Sequence, residues 1–257
     1  MATAISQVVA TRVDLTDDDA LDEVALGFLR WFDHGPPDIG LQTSAVLGAT
    51  RRRLDTAGGR PAAVMTAEAT AFAQTATHSA GNGALMRTGP VALAHLDDRD
   101  RLALAARRVA ALTHVDPLAT ESCVLWCEAI RVAVVDGRLD VRAGLDLLDD
   151  ARRPPWQAWL DEAEAGPASR FNPNGFTVTA LQAAVAAVAA TDGLEEALHA
   201  AVRVGNDTDT VAAITGALVG AQWGASAVPS SWREVVHGWP GHTGDDLVAL
   251  AVRAVDG

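Results

Sequence analysis

The sequence predicts an all-α fold, and three observations predict it. Apolar residues recur with the helical period of 3.6 along most of the 257 residues, no convincing alternating strand pattern appears, and the periodic segments are short and bounded by Gly, Pro, Asp or Thr. With 49% hydrophobic residues the chain can bury a sizeable core. Typical helix lengths then give about a dozen helices, and with no low-complexity linker and no repeat period residues 1–257 read as one domain.

In chain order, "MATAISQVVATR" places Met1, Ile5, Val8 and Val9 on one helical face from the first residue, with no capping residue before it. "LTDDDALDEV" reads as a helix start, Thr16 as N-cap and Asp17 to Asp19 in the first turn. "RLALAARRVAALTH" is periodic, and after Pro117 Cys123, Cys127, Ile130 and Val134 share one face of a helix that ends at Asp136 and Gly137. "DVRAGLDLLDDARR", "GLEEALHAAVRV" and "GDDLVALAVRAV" carry the same pattern, and "NPNGF" and "GNDTDT" each precede an apolar helix. Cys123 and Cys127 lie one helical turn apart and match neither a CxxC pair nor a disulfide framework, so they read as buried small apolar residues.

A formal charge of −13, from 33 acidic against 20 basic residues, repels a phosphate backbone and argues against nucleic acid as a general partner. The longest Ala/Val stretch, near "ALQAAVAAVAA", is too short to span a bilayer, and no basic-then-apolar leader opens the chain. A cytoplasmic protein without a membrane partner is expected.

Two stretches could carry chemistry. In "GNDTDT", residues 205–210, one side-chain oxygen at the helix start satisfies an orphan amide and contributes about 1 kcal/mol. A second aspartate is not needed for that, and two crowded carboxylates repel unless a cation neutralises them. Asp207, Asp209 and Thr210 form an all-oxygen set suited to Mg²⁺, Mn²⁺ or Ca²⁺. The residues alone leave capping and metal binding both open. Gly216, Gly220 and Gly224 form a stripe on the following helix, each costing about 1 kcal/mol against alanine, which implies close packing. In "THSAGNGALMRTGP", residues 77–90, Gly81 and Gly83 flank Asn82 and permit positive φ, as in a phosphate-binding nest or an ordinary turn. His114 in "LTHVDP" and Phe176 in "NPNGFTVTALQAAV" carry no meaning in isolation.

Taken in order, "GFLRWFDHGPPDIGLQTSAVL", "HSAGNGALMR", "LTHVDPLA", "NGFTVTALQAAVAAV", "GNDTDTVAAITGALVGAQWG" and "PSSWREVVHGWPG" resemble successive blocks of the ADP-ribosylglycohydrolase family over essentially the whole chain. The resemblance implies an all-α enzyme with a pair of Mg²⁺ or Mn²⁺ ions in a cleft that holds ADP-ribose. By it, Asp207, Asp209 and Thr210 match metal ligands, with the two aspartates central to catalysis. Ser79, Ala80, Gly81, Asn82 and Gly83 match the loop that wraps the ribose and diphosphate, His114 matches a ligand-contacting histidine, and Phe176 lies beside the nucleotide. Asn206 stands where relatives usually have glycine. The family opens with a glycine-containing helix and a Thr-Asp-Asp-Thr turn that complete the metal set, and Met1 matches the methionine just after them, so the resemblance implies an N-terminally incomplete domain. The expected activity is metal-dependent removal of ADP-ribose from a protein side chain or small molecule. The alternative is a non-catalytic ADP-ribose-binding or interaction protein of the same fold.

Overall fold

The segment after Pro117 becomes the centre of the molecule. The computed structural model describes residues 1–11 and 13–256. Its α-helices are α1 Ala2–Val9, α2 Asp18–Asp33, α3 Leu41–Ala57, α4 Pro61–Thr75, α5 Gly89–Ala92, α6 Arg99–Ala111, α7 Pro117–Asp136, α8 Arg153–Ala165, α9 Thr177–Ala189, α10 Leu194–Arg203, α11 Thr208–Trp223, α12 Ser230–Arg233 and α13 Gly244–Asp256. A two-residue antiparallel hairpin, β1 His237–Gly238 with β2 His242–Thr243, is the only sheet among the described residues. The all-α expectation is met.

Helix α7 starts where the rules of capping place it. Pro117 occupies the first turn, the Asp116 carboxylate accepts from the Leu118 amide, and Gly137 closes the helix in the left-handed region at φ 65°. The predicted apolar face understates it. From Ala119 to Ala133 nearly every residue is buried, because α5, α6, α9 and α11 surround α7. Two carboxylates go in with it and are paired. Glu121 receives Arg152 at 2.7 and 2.8 Å and the Trp156 indole N–H at 2.7 Å, and Glu128 receives Arg131 at 2.8 and 2.9 Å. The Trp126 indole donates to the Ile214 carbonyl at 2.9 Å and ties α7 to α11.

Three local expectations are corrected. The segment 140–152 is not an α-helix but a run of turns with a 3-10 turn at Leu145–Leu147. Asp140 captures the Arg142 amide, Arg99 from α6 holds the Ala143 carbonyl and Asp146, and Gly144 is pressed onto Leu125 and Glu128 of α7. These tertiary bonds outweigh helix periodicity. At α2 the N-cap position falls to Asp17, since Thr16 turns back to bond Asp14 through its amide and hydroxyl. In the α11 stripe only Gly216 is pressed, against Leu198 of α10, whereas Gly220 has open space beside it and Gly224 ends the helix at φ 75°.

Among the described residues no helix is long and apolar enough to cross a membrane.

Candidate active-site cleft

The turn before α11 is set by left-handed backbone. Gly205 has φ 83° and Asn206 φ 56°, a region open to glycine and tolerated by asparagine. Asp207 then takes the N-cap position, yet its carboxylate makes no cap to the amides of α11. It accepts instead from Asn82 Nδ2 at 2.7 Å, while its own amide donates to Asn174 Oδ1 at 3.0 Å. Asn82 Nδ2 also donates to the Asn174 carbonyl at 2.8 Å, and Asn174 Nδ2 to the Gly205 carbonyl at 3.0 Å. Buried Asn82 and Asn174 thus lock three loops together. Asp209, in the first turn of α11, is exposed, and Thr210 is buried with its hydroxyl on Met86 Sδ at 3.5 Å.

The loop 79–83 runs beside the start of α9. Thr177 N donates to the Ala80 carbonyl at 2.9 Å and Asn82 N to the Gly175 carbonyl at 3.1 Å, so Gly81 and Phe176 pair as an antiparallel bridge. Neither Gly81 nor Gly83 has positive φ, which corrects the nest reading. The need for glycine is spatial. A Cβ on Gly83 would stand 3.1 Å from His114 Cε1, whereas one on Gly81 would meet His114 Nε2 at an ordinary 3.5 Å.

His114 is buried, and that burial, reinforced by nearby Arg87, pushes its pKa down to about 3, so the ring is neutral. Arg87 is itself buried, donating to the Gly83 carbonyl at 2.6 Å and Thr113 Oγ1 at 2.7 Å, with its guanidinium over the Phe28 ring. Opposite them stands the start of α3, whose N-cap Gly40 offers no side chain to the first-turn amides. Gln42 crosses to the Thr113 carbonyl at 2.9 Å.

These pieces enclose a cavity of about 530 Å³. Gly81, Asn82, Gly83, His114, Asp207, Asp209 and Thr210 all line it, brought together from three stretches of sequence. Ser79, Ala80 and Phe176 do not line it. Ser79 Oγ donates to Asp116 at 3.0 Å and Ala80 is held by Thr177, so both set the loop's path, and Phe176 flanks the loop with its ring partly exposed. Asp38, Gln42, Thr43 and Arg87 also stand on the cavity wall, and Asn174 is tied to Asn82 and Asp207 beside it. Arg87 lies inside "HSAGNGALMR", but only burial shows its function, and Asn174 lies in "NPNGF", where nothing local marks its side chain as a tie between loops.

The donor set suits a hard cation. Asp207 has one oxygen on Asn82 and the other available, Asp209 adds a second carboxylate, and Thr210 a hydroxyl whose present partner is only a sulfur. Proton transfer by His114 is disfavoured by its low pKa.

The ADP-ribosylglycohydrolase family model matches residues 1–257. The chain belongs to this family. It is 26% identical over 207 residues to the ADP-ribosylarginine hydrolase Tri1 of Serratia proteamaculans, covering 79% of this chain and 54% of that protein. It is 28% identical to the ADP-ribosyl-[dinitrogen reductase] glycohydrolase of Rhodospirillum rubrum, covering 90% of this chain and 70% of that one. A solved ADP-ribosylglycohydrolase-related protein complex superposes with a TM-score of 0.67 at 27% identity, over 99% of this chain and 78% of the other. The chain thus spans a little over half the length of the Serratia hydrolase. As a family member it carries both of the stretches singled out in its sequence on one cavity wall.

Proposed function

We propose that this chain is a metal-dependent hydrolase that releases ADP-ribose from an ADP-ribosylated protein side chain or small molecule. The carrying observation is the Asn82 bridge, which joins the glycine loop to the acidic turn through Asp207 at 2.7 Å inside one cavity. The names of its relatives support the hydrolase part of this reading.

In this reading Asp207, Asp209 and Thr210 hold Mg²⁺ or Mn²⁺. A cation held by them would supply charge stabilisation and a polarised water. Gly81 and Gly83 let the backbone approach the ribose and diphosphate, Phe176 flanks the nucleotide, and His114 contacts the ligand as a neutral ring. Binding of the distant nucleotide orients the bond to be broken, at the anomeric carbon of the distal ribose, where the transition state gains oxocarbenium character. The cavity wall contributes position and the carboxylates contribute negative charge near that centre.

The test uses Asp207→Asn with Asp209→Asn. The Asp207 carboxylate caps no amide of α11, and asparagine keeps an oxygen that can accept from Asn82 Nδ2, so in metal-free buffer the double variant should melt close to the parent. With Mg²⁺ or Mn²⁺ at a hundred times Kd the parent should gain about 2.7 kcal/mol and the variant almost nothing. Hydrolysis of ADP-ribosylated arginine or serine should be lost with the metal response. Equal metal responses in both proteins would refute the assignment, and ADP-ribose binding without turnover would make the chain a non-catalytic ADP-ribose-binding protein.

A further inference from the structure

Behind His114, two residues decide which ring nitrogen carries the proton. Thr113 is buried, and its Oγ1 lies 2.7 Å from Arg87 Nη2 and 2.7 Å from His114 Nδ1. A guanidinium only donates, so Oγ1 accepts from Arg87. The single hydroxyl proton of Thr113 then needs an acceptor, and among the described residues His114 Nδ1 is the one bonded to this oxygen. Nδ1 therefore accepts, and a neutral ring must hold its proton on Nε2. The opposite tautomer would leave a buried hydroxyl proton with no partner.

Arg87 acts from behind. Arg87 is only 2% exposed, Nη1 is spent on the Gly83 carbonyl, and Nε is sealed from solvent with no partner among the described residues. Its hydrogen bond to Oγ1 polarises the hydroxyl and strengthens the donation to Nδ1. Nε2 points the other way, toward the backbone of Gly81 and Gly83, where a built Cβ would stand 3.5 and 3.3 Å from it.

We propose that Thr113, held by Arg87, is a positioning residue that fixes His114 as the Nε2–H tautomer, so that His114 donates a hydrogen bond to an acceptor oxygen of the ligand, a ribose hydroxyl or a phosphate oxygen. The ligand's identity rests on the function proposed above, and the tautomer does not. The low pKa of His114 agrees with a ring that donates without becoming charged. His114 is then a binding group and not a general base.

The experiment is a long-range proton–nitrogen NMR correlation on histidine-labelled protein at pH 7 without ligand, with the His114 signals identified by their loss in His114→Gln. The parent and Thr113→Ser should show unprotonated Nδ1 and protonated Nε2, and Thr113→Val, which keeps the shape but lacks the hydroxyl, a mixture of tautomers. In calorimetric titration ADP-ribose affinity should fall about tenfold in Thr113→Val and return in Thr113→Ser. A protonated Nδ1 in the parent, or an unchanged tautomer in Thr113→Val, overturns the proposal. If the parent shows the stated tautomer but binds no ADP-ribose, the proton assignment is upheld and the proposed function fails.

Discussion

Gly83 is small because an imidazole occupies the space a side chain would need. At 3.1 Å from His114 Cε1 an added methyl must displace the ring or the loop, whereas at Gly81 the nearest atom lies at 3.5 Å and nothing need move. Gly83→Ala is therefore expected to weaken ADP-ribose binding roughly tenfold, about 1.4 kcal/mol, and Gly81→Ala much less, as measured by calorimetric titration. The reverse order would place the ligand against Gly81 and not behind it. His114 also sets a pH dependence. Its pKa lies near 3 in the folded chain against an ordinary 6.5, so between these values the unfolded chain binds a proton that the folded chain does not. Stability from this group is complete above pH 6.5 and declines as pH falls toward 3, by up to about 1.4 kcal/mol per pH unit. His114→Gln removes that share. Its melting temperature should gain on the parent's between pH 7 and 4, and a constant gap would mean that the folded ring titrates freely.

Helix α7 shows how an element can be read correctly in extent and wrongly in environment. Its caps at Asp116 and Gly137 are local and visible in sequence, but its burial on all sides comes from four other helices. Buried Glu121 links it to α8 through Arg152 and Trp156. Glu121→Ala strips the indole N–H and the guanidinium of their acceptor, and the denaturation midpoint should fall by the equivalent of about 3 kcal/mol. Neither Glu121 nor its partners line the cavity, so ADP-ribose affinity of the folded variant should match the parent's. A parallel loss of affinity would show that α8 supports the cleft.

At the scale of the molecule, 33 acidic residues against 20 basic ones give a net charge of −13, and Asp38, Asp207 and Asp209 extend that sign into the cavity. Such a field attracts a basic ADP-ribosylated target and is screened beyond a Debye length of about 8 Å at 0.15 M salt. Stopped-flow association with a basic ADP-ribosylated protein should slow by about tenfold between 0.02 and 0.5 M NaCl, in line with steering effects of this size. An association rate independent of salt would assign recognition to the ADP-ribose group alone.

What the sequence determined by itself was the set of local choices. Helical periodicity, Gly137 at a helix end, the acidic pair at 207 and 209 and the glycines at 81 and 83 were legible, because each depends on residues within a turn or two of one another. Only tertiary structure could turn 140–152 away from helix, since the competing bonds come from Arg99 on α6 and the surface of α7. It also decided what the motif residues do. Asp207 bonds Asn82, 125 positions earlier in the chain, instead of capping its own helix, and Arg87 acts because folding buries it against Thr113 and His114. A hydrogen bond between distant residues leaves no periodic trace in a chain, whereas a helix face does.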